Sequence, residues 1–95
     1  MTSVLSLNDR PRRHTDSSFR EIEDEGGLVV LPGKAQVKVL NPVGIRVFSL
    51  LDGTRTVEEI ASVVTAEFDV AGETARKDVL DFLTELADHG MLASE

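Results

Sequence analysis

Between Gln36 and Leu51 the chain passes from an alternating strand pattern to an apolar helix pattern through a junction of only two residues, Asn41 and Pro42. Asn41 is a favourable helix N-cap, because its side-chain oxygen can accept a hydrogen bond from a first-turn N–H. Pro42 falls at the first helical position, where its missing N–H costs nothing and its fixed φ already suits the helix. A strand that enters a buried helix with no linker has to pack beside it. A strand that feeds straight into packed helices suggests a small module.

The segments before the junction read as strands. Phe19 to Glu23 is a first strand, and Asp24-Glu25-Gly26-Gly27 ends it with two glycines that permit positive φ. Leu28 to Leu31 is short, continuous and β-branched. Pro32-Gly33-Lys34 then supplies turn chemistry, and Ala35 to Leu40 returns as the second arm of a hairpin. In that arm Ala35, Val37 and Val39 share one face, with Gln36, Lys38 and Leu40 on the other.

The segments after it read as helices. From Val43 to Leu51 apolar residues surround most of the first, which stops at Asp52-Gly53. Thr56 and Glu59 form a Thr-x-x-Glu capping box, and Val57, Ile60, Ala61, Val64 and Phe68 follow at helical spacing. Asp69 to Gly72 breaks this helix, and a third runs from Glu73 to His89, with Gly90 as the left-handed residue after its end. His89 suits a capping role at the carbonyl end. Around the third helix the apolar positions span an arc of about 160°, wider than the usual stripe of about 100°. Such a helix faces two surroundings. Val79, Phe82 and Leu86 are expected on the core side, with Leu80, Leu83 and Ala87 towards a second surface. Three antiparallel strands followed by three helices make a winged helix-turn-helix-like α+β fold.

Composition removes whole classes of function. The chain has 95 residues and no cysteine, which excludes disulfides, thiolate metal sites and cysteine nucleophiles. His14 and His89 are the only histidines, no spacing matches a metal site, and no serine lies in a nucleophile-elbow context, so neither catalysis nor a cofactor is expected. No apolar stretch approaches the roughly 20 residues of a membrane span, and a cytoplasmic protein is expected. Residues 1 to 17 lack periodicity and read as a flexible N-terminal arm, residues 18 to 95 as the folded domain. Four arginines against two aspartates give residues 1 to 20 a charge of +2. The overall charge of −7 thus leaves −9 for the remainder. An acidic body argues against a nucleic-acid partner.

Three segments in order carry a family resemblance: Leu40, Asn41 and Gly44; the run from Leu50 to Ile60, "LLDGTRTVEEI"; and the run from Asp78 to Leu92, "DVLDFLTELADHGML". Over residues 19 to 92 the chain resembles the PqqD-like proteins, the precursor-peptide recognition elements of ribosomally made, post-translationally modified peptide pathways. The resemblance implies a non-catalytic module that binds the leader segment of a precursor peptide and presents it to a modifying enzyme, often a radical SAM enzyme. It also implies that the leader adds as an extra strand beside the third strand, against the third helix. Phe48-Ser49-Leu50-Leu51 lacks the cysteine expected before Asp-Gly in the pyrroloquinoline quinone pathway's own member, so a lasso or other pathway fits as well.

Elementary chemistry supports such a site. An edge strand offers unpaired N–H and C=O groups to an extended peptide, while alternate side chains fill apolar pockets. The expected peptide-binding residues are Gln36, Val37, Lys38, Val39 and Leu40 of the strand, with Arg76, Leu80, Leu83, Thr84 and Ala87 of the helix. Arg76 and Lys77 sit where the helix dipole disfavours cations, so an acidic leader would explain them. Pairing with Glu73 and Asp81 would explain them equally. Three alternatives stay open: a winged-helix DNA-binding regulator, a docking subunit that touches no peptide, and a homodimer through the same free edge.

Overall fold

The structure is a computed structural model that describes residues 5–22, 25–31 and 36–93. Strands β1 (Ser18–Ile22), β2 (Gly26–Leu31) and β3 (Gln36–Leu40) precede helices α1 (Pro42–Ser49), α2 (Val57–Phe68) and α3 (Gly72–Asp88). The sheet is antiparallel in the order β1-β2-β3, with Phe19 opposite Val29 and Val30 opposite Val37. This is the α+β arrangement expected. Glu23, Asp24 and the hairpin turn Pro32-Gly33-Lys34, with Ala35, lie outside the described residues.

The glycine pair does more than turn the chain. Gly26 takes φ 99°, as a turn requires, but Gly27 belongs to β2. A Cβ at Gly27 would collide with the carbonyl oxygen of Arg20 and stand 2.7 Å from Cγ1 of Ile45. Only glycine lets β2 pass this close to both β1 and α1. Val29 and Leu31 of β2 then bury themselves in one core with Ile45, Phe48, Ile60, Val64, Val79, Leu83, Leu86 and Met91.

Helix ends follow the local chemistry. The Asn41 side chain accepts the Gly44 N–H at 2.7 Å and starts α1. Glu59 donates its N–H to Thr56 Oγ1 at 3.1 Å, and Thr56 donates its own to Glu59 Oε1 at 2.8 Å, completing the capping box of α2. Asp69 ends α2 in the left-handed conformation at φ 55°, and Gly90 follows α3 at φ 71°. A two-point pair between Arg46 and Glu67, both contacts at 2.9 Å, ties α1 to α2.

Where a loose arm was expected, residues 5–17 run along the domain. The carbonyls of Leu7 and Asp9 accept the N–H groups of Glu58 and Val57, satisfying the first turn of α2. Pro11 is buried. Arg13 donates its backbone N–H to Leu51, and its guanidinium donates to the carbonyls of Phe48 and Ser49 at 3.1 and 3.0 Å. Its cation lies 5.1 Å from the centre of the Phe19 ring. Carbonyls at the end of α1 carry the negative end of the helix dipole, so a fixed cation belongs there. The segment reads as aperiodic because its order comes from backbone hydrogen bonds, one arginine and the scattered apolar contacts of Leu5, Leu7 and Pro11, not from a periodic apolar stripe.

Candidate peptide-binding groove

The strand order leaves one side of β3 without a partner strand among the described residues. Which backbone groups point that way follows from Gly26, whose position is crowded by the Leu40 carbonyl oxygen. Leu40 thus turns its N–H and C=O towards β2, as do Lys38 and Gln36 at alternate positions. The N–H and C=O groups of Val37 and Val39 face the open edge.

Side chains of β3 divide as the alternation requires. Leu40 is buried, while Lys38 and Gln36 reach towards α3. Lys38 Nζ lies 3.4 Å from Glu85 Oε2, and the Gln36 amide donates to the His89 carbonyl at 3.4 Å. Val37 and Val39 project from the other face of the sheet, 64% and 74% exposed.

Between β3, α1 and α3 lies an open groove of ≈ 530 Å³. Val43, Gly44 and Val47 of α1, Val64 of α2, Val70, and Val79 and Phe82 of α3 supply its apolar surface. Lys38, Asn41, Asp78, Asp81 and Glu85 supply its polar rim. A Cβ at Gly44 would stand 3.1 Å from Asn41 Oδ1 and 3.6 Å from Phe82 Cζ. The glycine of the Leu-Asn-x-x-Gly segment therefore gives both the cap and the Phe82 ring their places.

Of the expected strand residues, Lys38, Val39 and Leu40 line the groove, and Gln36 and Val37 continue the same edge. The expected helix residues are not brought there. Leu83 is fully buried in the core, and Leu80 is half-buried against it away from the groove. Arg76 faces α2, its guanidinium 3.5 Å from Glu58. Thr84 bonds back to the Leu80 carbonyl at 2.9 Å, and Ala87 is exposed beyond the groove. Phe82, expected in the core, and its neighbours Asp78, Asp81 and Glu85 take those places instead.

The reason is geometric. The wide apolar arc of α3 has two margins, Leu80 and Phe82, and the period alone does not say which margin adjoins β3. Phe82 carried the missing signal: a large aromatic at an arc margin needs a concave partner, and Gly44 provides the space.

Among the described residues, no group of His, Asp and Glu could hold a metal ion, and no helix is long and apolar enough to cross a membrane. Over residues 27–92 the sequence matches the model of the family described as coenzyme PQQ synthesis protein D, PqqD. The chain belongs to the PqqD family. No curated protein sequence matches it. Among solved structures it is similar to TbiB1 in complex with the TbiA(beta) leader peptide, at 30% identity and a TM-score of 0.75, covering 85% of this chain and 93% of that one. It is also similar to the PqqD truncation of Methylobacterium extorquens PqqCD, described as a functional, stand-alone recognition element for ribosomally synthesized and post-translationally modified peptides. That match has 26% identity and a TM-score of 0.77 over 93% of both chains. Lasso peptide synthetase B1 complexed with leader peptide shares the fold at 19% identity and a TM-score of 0.74, covering 87% of this chain and 96% of that one. The PqqD-like resemblance and the fold read from the sequence both hold.

Proposed function

We propose that this PqqD-family chain binds the leader segment of a ribosomal precursor peptide as a fourth strand beside β3 and presents it to a modifying enzyme. One observation carries the reading: the outward N–H and C=O groups of Val37 and Val39 border a groove whose apolar surface ends at Phe82. Main-chain hydrogen bonds supply affinity that tolerates sequence change, and the groove selects alternate side chains. Micromolar binding requires only about −8 kcal/mol, within reach of one added strand and two or three apolar anchors after ordering costs. TbiB1, the relative at 30% identity, is a protein seen with a leader peptide.

The chain itself does no chemistry in this reading. It raises the local concentration of peptide at a modifying enzyme, with a radical SAM enzyme the class implied by the family. The carboxylates on the groove wall of α3 disfavour a phosphate backbone and set the DNA-regulator reading aside. The test is an NMR titration of the full chain with the leader of the precursor encoded beside its gene. Backbone signals from Val37 to Leu40 and from Asp78 to Glu85 are expected to shift. Shifts confined to other surfaces would overturn the groove assignment.

A further inference from the structure

An acidic leader would need Arg76 and Lys77 free to meet it. The structure turns Arg76 to Glu58 and puts three carboxylates, Asp78, Asp81 and Glu85, on the groove rim around Phe82. Among the described residues that line the groove Lys38 is the one cation, and it lies 3.4 Å from Glu85. Lys77 lies 3.2 Å from Asp81 in a pair that is largely exposed on both sides, where solvent screens it. No cation among the described residues stands within ion-pair distance of Asp78.

We infer that the groove selects a basic leader segment, with a lysine or arginine two positions from a large apolar residue that packs on Phe82. The inference rests on the added-strand reading above, which places the peptide along α3. Asp78 precedes Phe82 by four residues and Glu85 follows it by three, displacements of about 6 Å and about 4.5 Å along the helix axis. In an extended peptide, side chains on one face recur at about 6.6 Å. A peptide residue seated on Phe82 therefore carries its alternate neighbours to the carboxylates on either side. At the Asp78 and Asp81 end the peptide cation meets Asp78 without competition from any cation of the described residues, and Asp81 only through its exposed, solvent-screened pair with Lys77. At the Glu85 end it competes with Lys38, so the first of these positions dominates the preference.

Selection of a random library of short peptides on the full chain tests this whatever the natural leader sequence is. Enriched peptides are expected to shift the amide signals of Val37 to Leu40 and to carry Lys or Arg two places from a large apolar residue. Their affinity should fall about tenfold in the double variant Asp78→Lys with Asp81→Lys, and by less in Asp78→Asn with Asp81→Asn. Both positions are exposed, and a circular dichroism spectrum unchanged from the parent chain establishes that the variants fold. Affinity should also fall as salt rises from about 0.05 to 0.5 M. Peptides that shift the same amides with neutral or acidic flanks, and bind the double variant equally well, would overturn the charge preference and leave the groove intact. Failure of every enriched peptide to move those amides would overturn the added-strand reading itself.

Discussion

Replacing Val39 by proline removes one N–H from the open edge of β3 and leaves the ladder to β2 whole. The reasoning starts at the Leu40 carbonyl, turned towards Gly26, which puts Gln36, Lys38 and Leu40 in the ladder and Val39 outside it. Proline is accepted on edge strands where its missing donor would have faced outwards, and it keeps the preceding residue extended, as Lys38 already is. The Val39 side chain is 74% exposed, so little burial is lost from the free protein. One peptide hydrogen bond is worth a net of about 0.5–1.5 kcal/mol, or roughly two- to twelvefold in Kd. Lys38→Pro is the control, because it removes a donor to β2 and costs about 1–3 kcal/mol of folding stability through the carbonyl left unpaired. Calorimetric titration with leader peptide and thermal denaturation, run on both variants, separate the effects. Val39→Pro is expected to bind several-fold more weakly with a melting temperature close to that of the parent. Unchanged affinity would refute strand addition, and a loss of stability equal to that of Lys38→Pro would refute the assignment of outward groups.

Further outcomes follow from the same geometry. Phe82→Ala should weaken leader binding about five- to tenfold, whereas Leu80→Asp should lower the melting temperature without a matching loss of affinity per folded molecule. Leu83→Ala should cost about 2–5 kcal/mol of stability as a core cavity, read by urea denaturation. Arg13→Ala should cost on the order of 1.5–3 kcal/mol, since two charge-assisted bonds to the end of α1 are lost, and Arg13→Lys should recover only part of it. Thr54 hydrogen bonds hold Asp52 below its ordinary value, the Thr56 backbone N–H does the same for Glu59, and Arg46 for Glu67. The folded state thus binds fewer protons at these groups than the unfolded state. Their stabilisation is full above the ordinary glutamate value of 4.5 and is lost as pH falls through the lower folded values, which denaturation midpoints between neutral and acid pH would reveal.

Local chemistry makes much of the fold legible in the sequence. Asn41-Pro42, the Thr56 and Glu59 capping box and Gly90 each act within a few residues, so their signals need no tertiary context. The strand half of the groove is legible for the same reason, since alternation in residues 36 to 40 fixes which side chains share a face. The helix half is not, because the choice between the Leu80 and Phe82 margins depends on how α3 lies against α1 and β3. Gly27 reads as turn in the sequence because its role is a close approach to Ile45 and Arg20, distant partners that leave no local trace. Residues 5–17 are opaque because backbone hydrogen bonds, which nearly every residue can make, hold them together with a few unevenly spaced side chains, Leu5, Leu7 and Arg13, that form no periodic pattern.

The groove and the core are two uses of one small set of contacts. Gly44 receives the edge of the Phe82 ring while its N–H closes the Asn41 cap, so the start of α1 and the groove wall of α3 cannot shift independently. Leu40 precedes the cap directly and is buried, which holds the end of β3 at a fixed distance from the same ring. A peptide strand entering beside Val37 and Val39 therefore meets a surface already positioned by the folding of the Asn-Pro junction, and little ordering cost remains for the domain itself. Gly44→Ala tests that coupling. The added methyl meets Asn41 Oδ1 at 3.1 Å and Leu40 Cβ at 3.3 Å, close enough that the cap or the strand end must give way. Peptide affinity and thermal stability are then expected to fall together, in contrast to Val39→Pro. A Gly44→Ala variant that kept full affinity while losing stability would show that the cap and the groove are separable.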